Sequence, residues 1–363
     1  MEANRVYNFN PGPATQPIDV LKEAQAEFLN FGNSGMSIIE ISHRAKEFEA
    51  VLAKAKADIK DLMGLGDDYE VLFLQGGAST QFAMIPMNFA LDGKKGNYVV
   101  SGSFAEKAYK EAKILGVGHI AASSEDVDFR HIPTQDEIKL SDDVAYLHVC
   151  YNNTIYGTEY HYIPETGSVP LIADMSSDFL SRPIDFKKFT FIYAGAQKNL
   201  GPAGVTVVVA KKDFLNNKVA TIPTMFRYFT HLDKDSLYNT PPAFCIYMVG
   251  KTAAWIKAQG GLAVMAERNA KKAKLLYDAI DNSNGFYKGH ADKDSRSFMN
   301  VTFRLPSEDL EKKFVDEAKA QKLCGVKGHR SVGGMRASIY NAMPYEGVEL
   351  LADFMDKFRK ANA

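Results

Sequence analysis

Lys198 is the residue best placed for chemistry in this 363-residue chain. It stands in FTFIYAGAQKNLGPAGVTVVVA, residues 189–210, between Gly195 and Gly201 and between two apolar runs that read as buried strands. An amine held on a short loop and partly withdrawn from water loses proton affinity, and becomes a nucleophile able to form a Schiff base. The other reading is a solvated loop lysine, the commonest state of this residue. Lys187, Lys188, Lys211 and Lys212 flank the two runs and lack that confinement.

Other strand ends carry further chemistry. In VLFLQGGASTQF, residues 71–82, a strand gives way to two glycines and a helix. Backbone amides at such a helix start bind phosphate, and Ala78 and Ser79 would supply them; Ser79 can equally be a plain N-cap. The turn has neither the three-glycine dinucleotide spacing nor a Gly-Lys-Ser/Thr phosphate loop. In PLIADMSSDF an apolar strand ends at Asp174, where a carboxylate can pair with a cationic ring nitrogen or cap a turn. Phe104, in VVSGSFAEKAY, can stack on a flat ring or belong to the core. Thr154, past the strand ending at Cys150, can hydrogen-bond a ring oxygen or close a turn. A phosphate cradle, an aromatic plate, a carboxylate and a lysine together fit one ligand, a phosphorylated pyridine aldehyde: pyridoxal 5′-phosphate.

Anion-binding residues cluster elsewhere. In GHRSVGGMRASIYNAMP, residues 328–344, His329 and Arg330 adjoin a glycine-rich turn, and Arg336 lies on a short strand. Period-two alternation puts Met335, Ala337 and Ile339 on one face, and Arg336 on the other with Ser338 and Tyr340. An arginine there can grip a carboxylate in a bidentate pair. EISHR places His43 and Arg44 at an expected helix start, where the helix dipole disfavours cations unless an anion binds nearby. In LYNTPPAF, Thr240 reads as an N-cap, which leaves Asn239 unexplained.

The elements that must position these residues alternate. Strands are expected near 70–74, 97–100, 144–150, 170–173, 189–194 and 205–210. Helices are expected over 19–30, 43–63, 79–89 and 104–113. Several strands are unbroken apolar runs, which suits a mostly parallel sheet covered on both faces. After about residue 240 the pattern changes to a long helical region, 244–280, then strands at 297–303 and 335–339 and helices at 308–321 and 346–360. The fold class is α/β, with a large domain over 16–265 and a smaller α+β domain made of 1–15 and 266–363. Hydrophobic residues make up 46% and net charge is −1, so neither disorder nor a nucleic-acid or membrane surface is indicated. Lys271, Lys272 and Lys274 read as a solvated helix face. Cys150, Cys245 and Cys324 are too far apart for a metal or disulfide framework and read as reduced. No segment resembles a signal peptide or a membrane span, so a soluble cytoplasmic protein is expected.

The strings FNPGPA, EISHR, GGAS, ADMSSDFLSRPID, YAGAQKNLGPAG, NTPPAF and GHRSVGGMRASIYNAMP, in this order across nearly the whole chain, resemble the phosphoserine aminotransferase family. That family belongs to the class-V pyridoxal-phosphate aminotransferases with the aspartate-aminotransferase fold. The resemblance implies that Lys198 is the Schiff-base lysine and proton shuttle, and that Asp174 pairs with the pyridine nitrogen. It makes Phe104 the stacking ring, where many members have Trp. It assigns the cofactor phosphate to Ala78, Ser79 and Gln197, and the ring oxygen to Thr154. Asn239 and Thr240 would reach the phosphate of a neighbouring subunit in a homodimer. Arg336 would hold the substrate α-carboxylate; Arg44, with His329 and Arg330 from the partner, would hold the distal phosphate or carboxylate. The implied reaction is a ping-pong amino transfer between L-glutamate and 3-phosphohydroxypyruvate, with 4-phosphohydroxy-L-threonine, of pyridoxine biosynthesis, as a second substrate. Two departures stand out: Ser79 replaces an arginine found in some bacterial members, and Asn10-Pro11 replaces a common Ser-Ser. The competing expectations are a desulfurase using Cys324, and a sensor of phosphorylated metabolites without chemistry.

Overall fold

The structure is a computed structural model and describes residues 5–363; residues 1–4 of the expected N-terminal segment lie outside the described residues. The elements that build the large lobe are α1 (Ile18–Glu27), α2 (Lys46–Met63), β1 (Tyr69–Leu74), α3 (Gly77–Phe89), β2 (Lys95–Val100), α4 (Ser103–Ile114), β3 (Gly118–Ser123), β4 (Val144–Cys150), β5 (Leu171–Asp174), β6 (Phe191–Gly195), β7 (Thr206–Lys211) and α5 (Ala243–Ala258). Helix α6 (Gly261–Asp281) leads to β8 (Asn300–Arg304), α7 (Glu308–Ala320), β9 (Met335–Ser338) and α8 (Tyr345–Asn362).

Seven strands form one sheet in the order β1-β7-β6-β5-β4-β2-β3. Only β7 runs antiparallel to its neighbours; the other pairs are parallel. The central strands are largely apolar because both faces are covered. Val71 and Phe73 pack with Phe48, Leu52 and Ile59 of α2 and Ile246, Val249 and Ala253 of α5. Leu72 and Leu74 face the other way, toward Phe82, Met84 and Ile85 of α3 and Ala108 and Ala112 of α4. Adjacent residues of one strand thus serve two cores, and the sheet is held rigidly between two helical layers.

The smaller lobe packs α7, α8 and the far half of α6 on a three-stranded antiparallel sheet of Lys288–Gly289, β8 and β9. The chain's start returns to this lobe: Tyr7–Asn8 pairs in parallel with Leu323–Cys324, and Tyr7 and Phe9 enter its core. Helix α6 serves both lobes. Leu262 and Met265 pack in the large core, whereas Ala273, Leu276 and Ile280 pack in the small one.

Several expectations need correction. The long helical region is two helices, broken at Gly260 (φ +102), where a Cβ would meet Val264 at 2.8 Å. Strand β3 was not anticipated: its Gly-His start and exposed Ile120 blur the apolar run, as befits an edge strand. Helix α2 begins only at Lys46, because residues 42–45 form a turn in which Ser42 carbonyl accepts the Ala45 amide (2.9 Å). Arg44 therefore precedes the helix. Lys272 is not on a solvated face but buried, and its ammonium donates to the carbonyls of Ile339, Tyr340 and Met343 at 2.8, 2.6 and 3.2 Å. Burial pulls its pKa down to about 7, while the three carbonyls favour the charged form.

Phe314 anchors the small lobe, fully buried among the rings of Tyr287, Phe303, Phe354 and Phe358. Phe314→Ala should lower stability by about 3–5 kcal/mol. Urea denaturation checks this, and an unchanged midpoint would contradict the assignment of this residue as the anchor.

Candidate active site

Strand register brings the sheet's chemistry to one rim. Cys150 lies opposite Asp174, and Asp174 opposite Tyr193, so β4, β5 and β6 end together. β1 ends at the same rim, because Leu74 and Gly195 both pair with Thr206. Ligands in open α/β sheets bind just outside these carboxyl ends.

The turn after β6 delivers Lys198. Its amine donates to Thr154 Oγ1 at 2.6 Å and stands 4.5 Å from the centre of the Phe104 ring. Burial lowers its pKa, against a smaller opposing pull from the Asp174 carboxylate. Phe104, on the first turn of α4, is only partly buried and packs on the core, with the Lys198 amine over its ring. The ring thus packs on the core and still presents a face on the Lys198 side.

Asp174 ends β5 and is buried. One carboxylate oxygen accepts the Ser176 amide at 2.9 Å and its hydroxyl at 2.6 Å. The Ser176 oxygen in turn accepts the Gly195 amide at 3.0 Å, which ties the aspartate turn to the lysine turn. The second oxygen of Asp174 has no hydrogen bond among the described residues and is free for a ring N–H. The positioning part of Ser176 was not assigned from sequence. Its signal is the Asp-x-Ser spacing, which favours a side-chain-to-backbone turn.

Arg336 comes from the small lobe, on β9, with Met335, Ala337 and Ile339 in the core behind it. It is buried; Nη1 donates to the Thr154 carbonyl at 3.3 Å, and Nε has no partner among the described residues. An orphaned guanidinium N–H in a cleft fits an incoming carboxylate. One residue, Thr154, thus meets Lys198 through its hydroxyl and Arg336 through its carbonyl.

The phosphate cradle differs from expectation in one respect. The N-cap of α3 is Gly76, in a left-handed conformation (φ +90), so Ser79 is not the cap but lies within the first turn. The first bond into the helix is Thr80 amide to Gly76 carbonyl, 3.3 Å. The amides of Gly77, Ala78 and Ser79 have no partner among the described residues, the state in which a helix start accepts an anion. Gln197, beside Lys198, is partly exposed, and its carbonyl takes the Ala14 amide at 3.0 Å.

None of the remaining predicted residues bonds Lys198 within one chain among the described residues. Asn239 donates to Gln75 Oε1 at 2.9 Å, just before Gly76. Thr240 is not an N-cap: two prolines intervene and α5 starts at Ala243. Arg44 and Arg330 are exposed and make no ion pair among the described residues. His329 and Arg336 line one small cavity, and burial, followed by the charge of Arg336, lowers the histidine's pKa. Cys324 is held in the short strand beside Asn8, away from the lysine cluster. Among the described residues no group of His, Cys, Asp and Glu could hold a metal ion.

The residues fit pyridoxal phosphate: free helix-start amides, a ring face, a carboxylate oxygen and a half-buried amine lie along one rim of the sheet. The class-V aminotransferase model matches residues 6–351. The chain belongs to the class-V aminotransferases. Phosphoserine aminotransferase of Lysinibacillus sphaericus is 56% identical over 356 residues, covering 98% of each chain. The solved phosphoserine aminotransferase from Bacillus circulans subsp. alkalophilus superposes with a TM-score of 0.98 at 55% identity, over 99% of this chain and 100% of that one. A pyridoxal-phosphate-bound phosphoserine aminotransferase from Trichomonas vaginalis gives 0.92 at 40% identity, over 97% and 100%. As a class-V aminotransferase the protein is an enzyme of the aspartate-aminotransferase fold that works with pyridoxal phosphate.

The lowered proton affinity of Lys198 gives a direct expectation. In cofactor-free protein near neutral pH, a small amine-reactive reagent should label Lys198 well ahead of the exposed lysines. Peptide mass mapping checks this. Labelling of Lys198 no faster than that of Lys187 or Lys188 would contradict it.

Proposed function

We propose that the protein transfers the amino group of L-glutamate to 3-phosphohydroxypyruvate, yielding 2-oxoglutarate and O-phospho-L-serine in two half-reactions that share one site. The observation that carries this reading is the double use of Thr154. Its hydroxyl meets the Lys198 amine, and its carbonyl meets the Arg336 guanidinium. An α-amino acid carries its amine and carboxylate on one carbon, so a basic amine and a carboxylate grip joined by one residue suit that class. The names of the relatives supply the phosphorylated partner.

The geometry supports the following roles. Bound pyridoxal phosphate supplies the aldehyde that receives the amino group and the ring that takes up the electrons left when the α-proton departs. The amides of Gly77, Ala78 and Ser79 hold its phosphate, with Gln197 beside them, and the free oxygen of Asp174 accepts the ring N–H. Lys198 Nζ, unprotonated more readily because it is withdrawn from water, removes the α-proton of the amino acid and returns it on the far side of the nitrogen, two atoms along. Thr154 orients that amine. Arg336 holds the α-carboxylate through Nε and Nη2, while Nη1 stays on the Thr154 carbonyl. The distal anion falls to Arg44 and Arg330, which make no ion pair among the described residues, with His329 beside Arg336. Arg44 and Arg330 do not meet the lysine cluster within one chain, nor do Asn239 and Thr240, which supports a homodimer completing each site. The exposed apolar residues Phe28, Leu29, Met36 and Ile39 near the start of the large lobe suit such contact. Among the described residues no helix is long and apolar enough to cross a membrane.

Kinetics with glutamate and three keto acids test the reading. Turnover with 3-phosphohydroxypyruvate should exceed that with pyruvate by at least about a hundredfold in kcat/KM, the value of losing a charged pair. The keto acid derived from 4-phosphohydroxy-L-threonine serves as the second phosphorylated probe. Arg336→Ala should raise KM for glutamate, and Lys198→Ala should abolish turnover. Equal use of pyruvate would remove the phosphate from the proposal, and an active Lys198→Ala would remove the lysine.

A further inference from the structure

Five residues beyond Asp174 the chain makes a buried turn, Phe179-Leu180-Ser181, in which Leu180 has φ +56. Three successive carbonyls are thereby turned into the protein. Each is met by a different asparagine. Asn199 Nδ2 donates to Phe179 at 2.7 Å, Asn341 Nδ2 to Leu180 at 2.8 Å, and Asn269 Nδ2 to Ser181 at 3.0 Å. The three also join one another. The Asn341 amide donates to Asn199 Oδ1 at 2.9 Å, and Asn269 Nδ2 donates to Asn341 Oδ1 at 2.7 Å. All three are buried, with exposures of 6%, 8% and 2%.

The asparagines come from different parts of the molecule. Asn199 follows Lys198 directly. Asn341 lies three residues past β9, the strand that carries Arg336, and Asn269 is on α6, the helix shared by both lobes. The buried ammonium of Lys272, one turn along α6, fixes the carbonyls on both sides of Asn341. Asn199 and Asn341 each donate to a carbonyl with one atom and accept with the other, which only a carboxamide can do; Asn269 donates twice, and its Oδ1 has no partner among the described residues. A buried polar ladder of this kind is costly when half satisfied and specific when complete.

We propose that this three-asparagine clasp positions Lys198, holding its loop against the turn that follows Asp174 and coupling its place to that of Arg336 in the other lobe. The asparagines touch neither substrate nor cofactor; they are positioning residues. The inference rests on the reading of Lys198 as the working amine. Loosening the clasp lets water reach the amine and spoils its alignment, which acts on the chemical step more than on substrate binding.

The test compares Asn341→Ala with Asn88→Ala. Asn88 is an equally buried asparagine that bonds Met84, Phe226 and Tyr228 far along α3. Asn341→Ala should lower kcat about tenfold or more with KM within about twofold, since small misplacements at a reacting group are expensive. It should also move the pH midpoint for labelling Lys198 in cofactor-free protein upward, toward that of an exposed lysine. Asn88→Ala should lower the melting temperature comparably and leave both readings as in the wild type. Should Asn341→Ala fail to fold, Asn269→Ala, which removes only the outer rung, supplies the comparison with smaller shifts of the same sign. Wild-type kcat and labelling in the clasp variants, or equal changes in Asn88→Ala, would overturn the proposal. If Lys198→Ala were active, the reading of Lys198 itself would fall; an inactive Lys198→Ala with an unaffected clasp variant would defeat the clasp alone.

Discussion

The structure depends on keeping one lysine amine partly out of water without closing it in. A buried ammonium is costly, and the cost lowers proton affinity, which is the property a nucleophilic amine needs. Lys198 gains a single short bond, to Thr154 Oγ1, and faces the Phe104 ring and the Asp174 carboxylate. Lys272 shows the contrasting arrangement. It is also buried, and it lines a cavity, but three carbonyls take up its ammonium. In the proposed reading the same physical penalty yields a reactive amine in one place and a structural pin in the other. The difference lies in how completely the surroundings satisfy the charge.

Everything else in the fold serves that placement. Two helical layers hold the sheet rigid, and parallel register brings four strand ends to one rim. Ser176 links the Asp174 turn to the Lys198 turn, so the carboxylate and the amine belong to one hydrogen-bonded unit. The small lobe adds Arg336 from a strand whose alternate residues form its own core. Because the chain's start and the far half of α6 are built into that core, the position of Arg336 is set by packing and not by a loose linker.

Much of this was legible in the sequence. Continuous apolar runs predicted the covered sheet, and the Asp, Lys and Gly-Gly punctuation at their ends located the rim. Alternation at 335–340 correctly separated Arg336 from Met335, Ala337 and Ile339. Other features were hidden because they depend on distant partners. Lys272 reads as surface from its lysine-rich neighbourhood, and only the carbonyls 67 to 71 residues away explain its burial. Ser79 reads as a cap because serine favours that position, yet the left-handed Gly76 takes it. Thr240 was misread similarly, since two prolines delay the helix. The asparagine clasp has no local signature at all: its members lie 70 and more residues apart and meet only once both lobes are formed.

The central claim is that Lys198 carries the cofactor. Reduction of the purified, cofactor-loaded protein with borohydride, followed by proteolysis and mass mapping, measures this directly. The account predicts that the added pyridoxyl mass lies on the peptide containing Lys198. The same mass on a peptide containing Lys272 or any other lysine, or no stable addition after reduction, would contradict it.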